Sequence, residues 1–168
     1  LPPQNWNGNE AFKSASDKDQ TEMVGVLIKN SAALQIDLPP LFKYACDHGF
    51  SLVVTIFLEN AASLNIDLPP QNWNGNEAFK SACDKNQTEL VGILIKNSAT
   101  LQIDLPPLFK YACDHGYSWV VAIFMENAAP LKIDLPPQNW NGNETFKLAC
   151  DKGHSKMVEF FVENAAIL

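Results

Sequence analysis

The sequence predicts an all-α protein built as an array of helix pairs, and two observations carry that prediction. Long stretches recur: LPPQNWNGNE begins at Leu1, Leu68 and Leu135, and LPPLFKYACDHG begins at Leu38 and Leu105. Recurrence at this scale is the signature of stacked repeats and is read before any single-residue cue. Within each repeat the apolar residues follow a helical spacing twice, with a break between.

The recurring stretches divide the chain into units 1–37, 38–67, 68–104, 105–134 and 135–168, alternately long and short. Residues 1–67 and 68–134 align without gaps and differ at 11 of 67 positions, most of them mild changes such as Met23 against Leu90 and Phe50 against Tyr117. In a long unit the first helix is marked by Ala78, Phe79, Ala82 and Cys83, which share one face. The second is marked by Leu90, Val91, Leu94 and Ile95, with Ile93 widening the stripe. In a short unit the corresponding residues are Leu41, Phe42, Ala45 and Cys46, then Val53, Val54, Phe57 and Leu58. Asn76 before Glu77 reads as an N-cap with a first-turn acid. Pro40 and Pro107 suit a first turn, where a missing N–H costs nothing. Asn86 and Gly49 mark the break between the two helices. The long units carry an extra tip containing Asn74-Gly75, a tight-turn pair that predicts a hairpin loop. Each helix is about ten residues long, below the roughly 12–15 needed for marginal stability alone. Stacked pairs can cover one another, which is how a solenoid is stabilised.

Composition narrows the function. Acids outnumber bases 19 to 12, and a net charge of −7 is the wrong sign for a nucleic-acid groove or an anionic membrane surface. No apolar run spans a bilayer and no signal peptide opens the chain, so the expectation is a soluble, intracellular and cytoplasmic protein. The start at Leu1-Pro2-Pro3, inside a recurring motif, reads as that of an excised segment. Cys46, Cys83, Cys113 and Cys150 recur with the repeat, which marks one structural position copied rather than a disulfide framework or a metal site. Cys46-Asp47-His48 and Cys113-Asp114-His115 lack the four convergent ligands of a zinc site. Neither a GxSxG elbow nor a phosphate loop is present. No catalytic residue, metal or cofactor is expected. Asn86-Gln87-Thr88 and Asn143-Glu144-Thr145 match the glycosylation triplet by chance on this reading.

The units resemble the ankyrin repeat family along the whole chain. The fifth reads GNETFKLACDKGHSKMVEFFVENAA, the third GNEAFKSACDKNQTELVGILIKNSA and the second PLFKYACDHGFSLVVTIFLENAA, against a pattern of T-P-L-H-x-A, G-H before a V-V…L-L helix, then G-A. The T-P-L-H element is replaced, as at Glu77 to Lys80 or Pro40 to Lys43. The final Gly becomes Ser98, Ala61 or Ala165, which leaves Asn97, Asn60 or Asn164 to take a left-handed C-cap. The resemblance implies an ankyrin-like α-solenoid of five helix-turn-helix units in one domain, with Cys filling the small core slot usually held by Ala. It implies a non-enzymatic scaffold that binds another protein through a concave face of loop tips and first helices. By position that face holds Trp6, Trp73, Asn74, Asn76, Asp84, Lys85, Trp140, Asn141, Asp151 and Lys152 in long units. Short units contribute Tyr44, Asp47, His48, Tyr111, Asp114 and His115. The tryptophans either pack on their own loops or present aromatics to the partner. Leu52 and Trp119 are expected to cover apolar surface bared where short units lack a tip. Val24, Leu27 and Ile28 are expected on the outward side of the first unit, which together with Ile167 and Leu168 suggests end-to-end self-association. Two alternatives stand beside the scaffold: an engineered or tandem-duplicated array with a structural role and no natural partner, and a piece of a larger chain whose activity lies elsewhere.

Overall fold

The computed structural model describes residues 6–133 and 141–164, and among these it contains 11 helices and no strand. They form two compact units, Leu1–Asn74 and Gly75–Leu168. The first holds α1 (Gly8–Asp17), α2 (Thr21–Lys29), the one-turn α3 (Ser31–Leu34), α4 (Leu38–His48) and α5 (Ser51–Leu64). The second holds α6 (Gly75–Asp84), α7 (Thr88–Lys96), α8 (Leu105–Asp114), α9 (Ser118–Leu131), α10 (Gly142–Asp151) and α11 (Ser155–Glu163).

Helices pair as the apolar spacing requires: α1 with α2, α4 with α5, α6 with α7, α8 with α9 and α10 with α11. Inside the first compact unit α1 also packs on α4, and α2 on α5. Inside the second, α8 contacts both α6 and α10, and α9 contacts both α7 and α11. The core is aromatic and aliphatic. Phe12, Phe42, Phe57, Phe79, Phe109 and Phe124 are all fully buried, each a burial worth about 1.5–3 kcal/mol. The turn between paired helices recurs at one position, where Asp19, Gly49, Asn86, Gly116 and Gly153 all have positive φ, the conformation that Gly, Asn and Asp tolerate best.

Several local expectations need correction. The Asn-Gly pair is not a hairpin tip but a helix start. Asn7 and Asn141 are extended N-caps whose side-chain oxygens accept from the Glu10 and Glu144 amides, and Gly8 and Gly142 open the helices. Gly8 is needed there because a Cβ would stand 2.5 Å from Ile36 Cγ1. Asn76 accordingly lies in the first turn of α6 rather than at its cap, and its Oδ1 accepts from the Asp104 amide, as Asn9 does from Asp37. The left-handed residues after the second helices are Gln35, Asn65, Gln102 and Lys132. Asn60 and Asn97 are not left-handed. They and Asn164 instead donate Nδ2 to the carbonyls of Ile56, Ile93 and Phe160. The second helices of the short units run 14 residues, against nine in the long units.

Two of these corrections concern which way a face points. Val24, Leu27 and Ile28 are buried, because α2 turns them toward α5 and its own partner α1; the exposed apolar residues of α2 are Met23 and Val26. Leu52 is exposed, whereas Trp119 at the equivalent position is half-buried. Cys46, Cys83 and Cys113 fill buried slots, whereas Cys150 is exposed. Ile167 and Leu168 lie outside the described residues.

Gly25 and Gly92 sit within α2 and α7, and a Cβ added to either meets nothing within 4 Å. Gly25→Ala and Gly92→Ala should therefore each stabilise the protein by about 0.5–1 kcal/mol through helix propensity alone. Chemical denaturation of each variant checks this, and loss of stability in either refutes the open-surface geometry.

Candidate binding surface

The polar residues singled out by the repeat come together at the C-terminal ends of the first helices. In the first compact unit Tyr44 on α4 donates its hydroxyl to Asp17 Oδ1 on α1 at 2.5 Å. The equivalent Tyr111 on α8 donates to Asp84 on α6 at 2.8 Å. The second compact unit adds a contact: Tyr117, which stands where the first unit has Phe50, donates to the same Asp84 oxygen at 2.7 Å. Lys13 Nζ lies 5.8 Å from the Tyr44 ring centre and Lys80 Nζ 5.6 Å from that of Tyr111, within cation–π range.

His48 and His115 belong to the same clusters. The His48 ring sits 4.1 Å from Tyr44 and stacks at 5.7 Å on Phe50; His115 does the same with Tyr111 and Tyr117, at 4.1 and 5.8 Å. Each Nδ1 is 2.9 Å from the carbonyl of the preceding tyrosine. A carbonyl only accepts, so Nδ1 donates and Nε2 is left at the exposed edge of the ring. Asp47 and Asp114 are held by Lys43 and Lys110 one turn back, each at 2.6 Å. Lys152 reaches from α10 to the Asp114 carbonyl at 3.1 Å. Lys85 and Asp151 are exposed at the ends of α6 and α10.

These hydrogen bonds shape the titration of the cluster. The Tyr117 and Tyr111 hydroxyls hold the Asp84 carboxyl below its ordinary value. Its bond to Asp17 pushes the Tyr44 phenol up to about 12, and that to Asp84 does the same for Tyr117. Burial first, then the Asp84 bond, raises Tyr111 as well. Burial pushes the Cys46 and Cys83 thiols up to about 12, so these are core thiols rather than activated nucleophiles. Among the described residues no group of three or more His, Cys, Asp and Glu is arranged to hold a metal ion. No described helix is long and apolar enough to cross a membrane.

The tryptophans behave differently from the tyrosines. Trp73 is half-buried, with its ring edge-on to Phe42 at 5.4 Å, and its buried Nε1 has no hydrogen-bond partner. Trp6 is exposed, and its Nε1 donates to the Leu34 carbonyl at 3.3 Å. Trp6 thus leans on its own repeat and Trp73 on the preceding one. Trp140 lies outside the described residues. Asn74 is exposed beside Trp73, and Asn141 is committed to its capping bond. Sequence spacing alone missed Phe50 and Tyr117, because they follow the helix break; their alignment with the G-H position of the repeat was the available signal.

Trp73→Ala should lower stability by about 2–3 kcal/mol, less than for a fully buried aromatic, as read by chemical denaturation. An unchanged midpoint would mean that the ring does not pack on Phe42. Asp84 contributes stability above the unfolded carboxylate value, and this is lost as pH falls through its depressed native value. Replacing both tyrosines (Tyr111→Phe with Tyr117→Phe) should move the Asp84 NMR titration midpoint up toward the ordinary carboxylate range. An unmoved midpoint refutes the hydroxyl origin of the shift. Comparison with protein-family models, with curated proteins and with solved structures finds no match to this chain.

Proposed function

We propose that this chain is a non-enzymatic protein-interaction scaffold, an ankyrin-like stack of helix pairs that binds a partner protein through the ends of its first helices. The observation that carries the reading is the repeated Tyr–His–aromatic cluster, Tyr44–His48–Phe50 and Tyr111–His115–Tyr117. Each cluster is fixed by hydrogen bonds to a neighbouring helix or to its own backbone, yet its histidine remains exposed. Rigid aromatics offer large contact area at small entropic cost. Asp47, Asp114, Lys85 and Lys152 supply the polar rim that a protein interface carries around such anchors.

The near-identity of residues 1–67 and 68–134 favours a second reading, a tandem-duplicated or engineered array whose role is structural. Capture from lysate on the immobilised intact chain separates the two. The scaffold reading expects a specific partner whose capture falls roughly tenfold or more with His48→Ala and His115→Ala together, as hot-spot loss does. Equal capture by wild type and variant, or no specific capture at all, overturns it.

A further inference from the structure

The long-unit pairs expose a test of what belongs on their outer sides. In the second compact unit, α8–α9 covers α6–α7, and Phe79 and Ile95 are 0% exposed. The counterparts in α10–α11 are Phe146, 37% exposed, and Val162, 66% exposed, with Cys150 exposed between them. The opposite side of the same pair is packed: Thr145, Ala149, Met157 and Phe161 are buried. One face of α10–α11 is therefore finished and the other is a bare copy of a face that is covered elsewhere in the same molecule.

We infer that this outer face of α10–α11 is a docking surface for one further helix pair of the short class. The occupant is defined by what sits on the two equivalent faces. There, a short pair inserts Phe57 against Phe12 at 5.6 Å, or Phe124 against Phe79 at 5.8 Å. It sends Tyr44 to Asp17, or Tyr111 to Asp84, and lays that ring under Lys13 or Lys80. Its leading amide, from Asp37 or Asp104, donates to Asn9 or Asn76. The fifth unit keeps every receiving group, as Phe146, Asp151, Lys147 and Asn143, although it departs from the third at Thr145, Leu148, Phe160 and Phe161. A pair that closed an array would carry a polar outer side; this one keeps Phe146 and Val162. A second copy of the chain does not fit the face. Its two short pairs already cover α1–α2 and α6–α7. The surface lies on α10–α11 of the second compact unit and stands independently of the Tyr–His clusters.

The test appends a copy of residues 35–67, carrying Cys46→Ala, after Leu168 of the full chain, so that the Gln-Ile-Asp connection and its leading Asp amide are kept. Labelling of Cys150 by a thiol reagent is followed by peptide mass spectrometry, with buried Cys83 and Cys113 as references. Cys150 should label at least about tenfold more slowly than in the unextended chain, the ratio expected for a largely closed face. That protection should vanish when the appended copy also carries Tyr44→Ala and Phe57→Ala. Unchanged labelling in the extended chain overturns the inference, as does protection that survives the double substitution. Protection of the unextended chain that grows with its own concentration also overturns it, since the occupant is then a second copy.

Discussion

The insertion of one phenylalanine between two helix pairs is the contact on which the rest of the fold depends. Phe57 lies 5.6 Å from Phe12 of the preceding pair and 5.5 Å from Phe42 of its own. Phe124 repeats the arrangement with Phe79 at 5.8 Å and Phe109 at 5.6 Å. Helices of nine or ten residues cannot persist alone in water, so each pair is stable to the extent that a neighbour buries its ring. The edge-on and tilted geometries are those that aromatic quadrupoles favour. Removing the neighbour leaves Phe146 partly bare with the same residue at the same helical position.

The polar contacts follow from that aromatic stacking rather than creating it. Once the first helices of adjacent pairs lie side by side, the Tyr44 hydroxyl reaches Asp17 and the Asp37 amide reaches Asn9. Exposed bonds of this kind contribute modest net stability, about 0.5–1.5 kcal/mol each. Their larger effect is on geometry: they hold the tyrosine and histidine rings in a single arrangement at the surface. A surface ordered before binding has less entropy to lose on binding, which connects the stacking of the core to the interaction role proposed for the clusters.

Long and short units divide the structural work. In short units Leu-Pro-Pro itself opens the first helix, with no intervening QNWN segment, and the second helices run to 14 residues. Long units spend those residues on an irregular approach that ends in an Asn N-cap and a Gly. In the described copies that approach turns its tryptophan inward, Trp73 onto Phe42 of the preceding repeat and Trp6 toward Leu34 of its own. The longer loop therefore packs a half-buried Trp73 on Phe42, while His48 and His115 of the tyrosine–histidine clusters are exposed.

Helix identity, helix pairing and the turn between paired helices were determined by the sequence alone. Periodicity reports which side chains share a face, and Gly49, Asn86 or Asp19 marks a backbone that must turn left-handed. The position of the capping asparagine was less legible, because NWNGN offers two candidates and the choice rests on whether Gly8 must approach Ile36. What only the tertiary structure decided is which neighbour covers each face. Val24 and Ile28 are buried while Val162, at the position of Ile28, is exposed, although the local helical pattern is the same. The same holds for Cys83 and Cys150, and for the inward turn of Trp73. The physical reason is that burial belongs to a pair of surfaces, whereas a repeat sequence specifies one surface at a time.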